Sequence, residues 1–205
     1  MKNYLTLIFV LISLPTLSQN PYNSPADYRR WQVAINFTTD LLNTSYGDNY
    51  GIVAKAKRSA FNSRHFQMYY GVAYQHNVID EHKNLFSDYV KGYTRDIGAY
   101  AVYEVVYYPF RQVGVLLSLE PFVGYTHLHS IGKLKMPHHD VYVKYHHNYG
   151  YFNYGFTQSL GYTINRFTIN GFAMVSLKGM TDSGRFRPGD FDSRILLGVG
   201  LAYGF

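Results

Sequence analysis

The 205-residue sequence contains no cysteine, a single tryptophan and few charged residues. The absence of cysteine excludes a small disulfide-stapled domain, and 47% hydrophobic against 16% charged residues excludes a disordered chain. Beyond residue 20, no apolar run reaches the roughly 18 residues expected of a transmembrane helix. The formal charge of +6 is scattered singly, so it does not predict a nucleic-acid groove. The abundant residues are instead 22 tyrosines and 14 phenylalanines, which are typical of β-strands.

The amino-terminal segment predicts a cleaved secretory signal peptide covering residues 1–18. Lys2 supplies the positive start, residues 5–14 form an apolar run, and small residues before Ser18 mark a cleavage boundary. The run is too short to cross a bilayer as a helix, which needs about 20 residues. The alternative, a buried first element of a soluble protein, is less consistent with these signals.

The remainder of the chain alternates between apolar and polar residues with a period of two, which predicts eight strands. The clearest is the last, where Val199, Leu201 and Tyr203 alternate with glycine and alanine. The predicted strands cover residues 31–38, 52–57, 66–75, 93–108, 113–126, 151–162, 167–177 and 195–205. Pro121 lies inside the fifth strand and cannot donate to a ladder, so a bulge or an irregular pairing is expected there.

Connections between these strands alternate between long and short, as in membrane-spanning barrels. Several strands are about twelve residues or longer, whereas strands of soluble proteins are usually 5–6 residues long. The sequence therefore predicts an all-β fold, an eight-stranded antiparallel up-and-down transmembrane β-barrel, over a soluble β-sandwich. Aromatic residues are expected to ring one edge beside the short turns: Tyr107, Phe110, Tyr162, Phe167, Tyr203 and Phe205.

The signal peptide, the eight alternating strands and the closing run 195–205 together resemble small bacterial outer-membrane β-barrels of the OmpA transmembrane-domain and OmpX type, with a residue usage reminiscent of Bacteroidota. This resemblance implies a Gram-negative outer-membrane protein with both termini periplasmic, a lead-in at residues 19–29 and a barrel at 30–205. In that family the barrel-assembly machinery recognises a final strand that ends in an aromatic residue, and Leu201, Tyr203 and Phe205 match the pattern. The family includes many functions, so the resemblance implies compartment and fold more than activity.

Charged residues on the inward-facing positions predict a polar network in the lumen. An eight-stranded barrel is just wide enough to be filled by side chains, which argues against a solute pore. Glu104 and Glu120 lie on neighbouring strands and are expected close together with basic partners, because a charge in so narrow a space must be paired. A satisfied polar plug is favoured over a gate or proton path. The expected members are Lys55, Lys57, Glu104, Glu120, Lys178 and Arg194.

Six of the nine histidines lie in or beside the third long connection, at positions 127, 129, 138, 139, 146 and 147. They suggest a metal or ligand binder, but without cysteine and with only Asp140 nearby the pattern does not define a metal site. His127, His129, Ser130 and Asp140 are the nearest approach to a nucleophilic constellation, and their spacing differs from that of lipid-A 3-O-deacylases. No catalytic residue, metal ligand or cofactor is therefore predicted, and an enzyme acting on lipid A or phospholipid remains an alternative.

These observations favour a non-enzymatic barrel that acts through its surfaces, as an accessory subunit of a larger envelope complex or as a structural, loop-presenting barrel. Pro121, Gln158 and Gly171 interrupt otherwise apolar faces and are candidates for a lateral contact, since polar and small residues in lipid favour a protein partner. The expected partners are outer-membrane lipid and lipopolysaccharide, the assembly machinery during insertion and a second outer-membrane protein, but no nucleic acid.

Overall fold

A computed structural model describes residues 30–39, 48–63, 65–81, 84–85, 88–110, 113–135, 142–177 and 195–205. The predicted signal peptide and lead-in lie outside these ranges. The strands are β1 (Trp31–Thr39), β2 (Asp48–Asn62), β3 (Phe66–Glu81), β4 (Asn84–Leu85), β5 (Asp88–Phe110), β6 (Val115–Lys135), β7 (Tyr142–Ile164), β8 (Phe167–Ser176) and β9 (Ile195–Gly204). Within the described ranges, no helix is long and apolar enough to cross a membrane.

Eight of the strands close into an antiparallel barrel, which confirms the predicted fold class. Each strand pairs with its neighbours in sequence, β3 pairs directly with β5, and β1 pairs with β9. Val33 of β1, for example, is opposite Ala56 on one side and Tyr203 on the other. The two-residue β4 pairs only with the start of β5 and is not part of the barrel wall.

The barrel has a turn end, which carries the short connections and residue 205, and a loop end opposite it. At the turn end, Asn165 adopts a φ of 52° in the two-residue link between β7 and β8, and Gly114 a φ of 77°. A Cβ at Gly114 would lie 2.5 Å from the carbonyl oxygen of Thr163, so glycine is required there by both backbone and space.

Strands β5, β6 and β7 are 23, 21 and 23 residues long and extend further than alternation predicted. Most of their added residues lie at the loop end, where basic residues such as His129, Lys133 and Lys144 interrupt the apolar outward positions. Because these residues break the hydrophobic alternation, the sequence pattern ends before the strands do.

A bulge or an irregular pairing was expected at Pro121, and the structure shows no bulge there. Pairing between β5 and β6 is interrupted beside it, but Val102–Phe122 and Val105–Leu119 on either side keep the same register. The missing proline N–H therefore removes a ladder bond without inserting a residue. The register shift in this ladder lies between Tyr107 and Phe110, close to the short turn.

The barrel is apolar outside, whereas its interior contains both polar and apolar side chains. On β1, Val33, Ile35 and Phe37 are 44%, 52% and 57% exposed, whereas the alternate residues Ala34, Asn36 and Thr38 are buried. Such a surface needs lipid around it, because a water-soluble barrel would place these residues in its core.

Aromatic side chains mark both limits of the apolar outer band. Near the turn end, the rings of Phe66 and Tyr107 lie 5.0 Å apart, as do those of Phe167 and Tyr203. Towards the loop end, exposed Tyr74, Tyr125 and Phe152 lie in one ladder row that continues through Ala99; we call these three the upper aromatic row. Aromatic girdles at both interfaces are typical of membrane barrels.

Candidate functional site

The lumen is blocked across its middle by apolar side chains. The rings of Tyr100 and Phe122 meet edge to face at 5.1 Å, and Phe172 and Met174 approach from the other wall. A cavity of about 30 Å³ lies among Lys57, Glu104 and their neighbours, and a cavity of about 10 Å³ lies beside Asp96. Each has room for little more than isolated water molecules, so the described lumen contains no continuous channel. The complete apolar layer is Val53, Ala73, Tyr100, Val102, Phe122, Phe172, Met174 and Leu196.

Four of the six charged residues predicted for the lumen meet in one buried cluster. Lys57 is bonded to Glu104 and lies 3.2 Å from a carboxylate oxygen of Glu120, while Lys55 is bonded to Glu120 from the other side. The four side chains are 3–10% exposed. Lys178 and Arg194 lie outside the described residues.

Register explains how this cluster forms. The continuous register of β5 and β6 places Glu104 directly opposite Glu120, and Lys55 and Lys57 project from the same face of β2 into the lumen. Two lysines and two glutamates cancel in charge, and each carboxylate has a cation. The arrangement is therefore a compensated ion cluster, in which mutual attraction and hydrogen bonds offset desolvation.

Between the apolar layer and the loop end, the lumen is lined mainly with neutral polar groups, together with Leu128 and the carboxylate of Asp96. The hydroxyls of Thr94 and Ser130 are 2.7 Å apart, and Tyr100 Oη lies 2.7 Å from Thr126 Oγ1. Asp96 accepts a long hydrogen bond of 3.5 Å from Gln75 Nε2. These contacts link neighbouring strands across the inside of the wall.

The possible nucleophilic constellation around Ser130 is not assembled. Ser130 is fully buried and faces the lumen, whereas His127 and His129 lie on the outer face of the same strand. Because successive strand residues point to opposite faces, neither histidine can serve Ser130 as a base. Asp140 lies outside the described residues.

The predicted histidine cluster is only partly described. His138 and His139 lie outside the described ranges, and the side chain of His147 is not described. The rings of His129 and His146 meet at 5.2 Å. No three histidine or carboxylate side chains among those described are grouped closely enough to hold a metal ion.

Sequence reasoning missed a row of basic side chains on the outer wall, formed by His76, Arg95, His129 and His146; we call it the basic row. Arg95 Nε donates to His76 Nε2 at 3.0 Å, and Arg95 is the register partner of His129, whose ring contacts His146. His76 lies two residues beyond Tyr74 of the upper aromatic row, and its register partners are Ile52 on β2 and Ile97 on β5. Partial burial and the charge of Arg95 lower the pKa of His76.

The three residues predicted to make a lateral contact all lie on the outer face of the barrel. Gln158 of β7 is exposed and is paired with Leu119 on one side and Ala173 on the other. Pro121 and Gly171 are exposed on the flanking strands β6 and β8. They form one patch across three strands, which we call the glutamine patch.

The residues that match the assembly signal also lie on the outer wall. Leu201 and Phe205 are half exposed, and the ring of Tyr203 stacks on that of Phe205 at 6.1 Å. Their recognition by an assembly machinery stays a prediction.

Closure of the sheet, the apolar outer band and the filled lumen define the class of protein: the chain folds as a small, eight-stranded membrane-type β-barrel. No family model matches the sequence. No curated protein matches it either.

Several solved structures are distantly similar to the chain. Ail, the attachment invasion locus protein of Yersinia pestis, is 11% identical over 87% of this chain and 100% of its own, with a TM-score of 0.45. Neisserial surface protein A is 11% identical over 85% and 95%, with a TM-score of 0.44. The N-terminal β-barrel domain of Pseudomonas aeruginosa OprF is 13% identical over 86% and 98%, with a TM-score of 0.40. At these identities the similarity concerns the fold alone.

Proposed function

We propose that the protein is a non-catalytic integral outer-membrane barrel, with its termini on the periplasmic side, that serves as an accessory subunit of a larger envelope complex. The observation that carries the proposal is the side chain of Gln158, which is exposed on the bilayer-facing wall and has no hydrogen-bond partner in the described part of the chain. An unsatisfied amide in hydrocarbon costs several kcal/mol. A neighbouring membrane protein would supply the missing partners.

The shape of the glutamine patch also suits a protein partner. A Cβ added at Gly171 would meet nothing nearer than the carbonyl oxygen of Gly198 at 4.0 Å, so the surface there is open. Ala173, beside Gln158, is small as well. The patch is therefore a shallow depression with a polar group at its edge, into which side chains of a second barrel or helix would fit.

The filled lumen supports a role carried out at the outer surface. The apolar layer and the ion cluster leave no continuous path for a solute through the described residues, so transport is disfavoured. The alternative of a lipid-A or phospholipid enzyme is disfavoured by the inward direction of Ser130.

Site-specific photocrosslinking in cells tests the proposal. A photoreactive residue at Ala173, within the patch, is expected to capture a second outer-membrane protein, whereas one at Val72 on the opposite wall is not. Gln158→Leu is expected to reduce the crosslink while the barrel keeps its heat-modifiable mobility on gels. A folded barrel that gives no protein crosslink from Ala173 or its neighbours would refute the subunit role and favour a free-standing, loop-presenting barrel.

A further inference from the structure

The basic row forms a continuous line across four strands at the loop end. Its members belong to β3, β5, β6 and β7 in that order, and each contacts or directly opposes the next: Arg95 is bonded to His76, Arg95 and His129 are register partners, and the His129 and His146 rings touch. Lys133 and Lys144, exposed and opposite each other on β6 and β7, extend the positive surface further from the membrane.

No acidic side chain that the structure describes compensates this row. The carboxylates with described side chains are Asp96, Glu104 and Glu120, and all three are buried in the lumen. Arg95 makes one hydrogen bond, to His76, so its two terminal nitrogens have no protein partner among the described residues. Among the side chains that the structure describes, the outer wall therefore carries positive charge at this row with no carboxylate beside it, which is complementary to an anion.

The height of the row indicates where that anion lies. His76 is two residues beyond Tyr74 on β3, and His129 is four residues beyond Tyr125 on β6. Tyr74 and Tyr125 belong to the upper aromatic row, and such rings lie at head-group level. His146 is six residues beyond Phe152 on β7. A strand advances about 3.3 Å per residue, and more slowly along the membrane normal when it is tilted, so the basic row lies within roughly 20 Å of that level.

We propose that the basic row binds the phosphorylated head group of an outer-leaflet glycolipid. The planar Arg95 guanidinium would engage two phosphate oxygens through its terminal nitrogens, with His76 as the positioning residue that holds its Nε. His129 and His146 would add ring N–H donors. The proposal rests on the proposed outer-membrane orientation, but it uses a different part of the wall from the glutamine patch.

The test uses the purified, refolded full-length barrel in neutral detergent and bisphosphorylated lipid A as the probe, with bound lipid counted by native mass spectrometry. Arg95→Gln/His129→Gln is expected to weaken binding roughly tenfold, as for the loss of one charge-assisted contact. The matched control is Arg58→Gln, an outward arginine at the turn end that lies over the ring of Trp31 at 5.7 Å, and it is expected to bind as the unchanged protein does.

Three results would overturn the proposal. One is unchanged binding by the double variant, and a second is equal binding of fully dephosphorylated lipid A, which would indicate contact with acyl chains alone. The third is displacement of the lipid by millimolar inorganic phosphate, which would indicate a site for the free ion. Heat-modifiable mobility confirms that each variant is folded, and crosslinking from Ala173 reports separately on the proposed subunit role.

Discussion

Replacement of Lys57 by methionine tests the buried ion cluster most sharply. Lys57 is the cation that contacts Glu104, whereas Glu120 is contacted by both Lys55 and Lys57. Lys57→Met therefore leaves Glu104 buried without a cation, and removal of one partner from a buried pair costs about 3–5 kcal/mol. Lys55→Met removes the same charge from the lumen but leaves both glutamates in contact with Lys57, so we expect a smaller loss.

The assay is urea-induced unfolding in lipid vesicles, followed by the fluorescence of Trp31, the single tryptophan of the chain. The double variant Lys57→Met/Glu104→Gln should recover most of the lost free energy of unfolding, because the isolated carboxylate is now neutral and the Lys55–Glu120 pair remains. Equal losses for Lys57→Met and Lys55→Met, together with no recovery in the double variant, would refute the reasoning.

Three further predictions concern two glycines, Ser130 and the closed lumen. Gly114→Ala should lower the free energy of unfolding by at least about 1 kcal/mol, because Gly114 has a positive φ and an added Cβ would lie 2.5 Å from the carbonyl oxygen of Thr163. Gly171→Ala, in open space, should change the free energy of unfolding by less than about 0.5 kcal/mol, and urea titration compares the two variants. Ser130→Ala should cost about 1 kcal/mol by removing the contact with Thr94, and leave the lipid A profile of the cells unchanged by mass spectrometry; an altered profile would restore the enzyme hypothesis. The refolded barrel should give no steady current in planar bilayers, and a stable conductance would contradict the closed apolar layer.

Features that depend on strand periodicity were predictable from the sequence. The outward direction of Val33, Ile35 and Phe37 and the inward direction of Lys55 and Lys57 follow from alternation alone. The position of Glu104 opposite Glu120 could be predicted because a short turn joins the two strands that carry them.

Features that depend on register between strands, or on the far ends of strands, were not predictable. The basic row joins residues from four strands, and the contact of Arg95 with His76 exists only once β3 and β5 are aligned. The full length of β5 to β7 was missed because basic residues interrupt the apolar outward positions at the loop end. Whether Pro121 shifts the register depends on its partner strand, which local sequence does not specify.

Oxygen accessibility measured along one strand distinguishes a barrel whose apolar outer wall faces lipid from a barrel that buries these residues in its interior. The chain has no cysteine, so single cysteines at residues 33–37 of β1 can be spin-labelled one at a time in the protein refolded into lipid vesicles. An apolar wall that faces lipid predicts high accessibility to membrane-dissolved oxygen at Val33, Ile35 and Phe37 and low accessibility at Ala34 and Asn36. Low oxygen accessibility at residues 33, 35 and 37 with high accessibility at residues 34 and 36, or no alternation at all, would contradict a lipid-facing apolar wall.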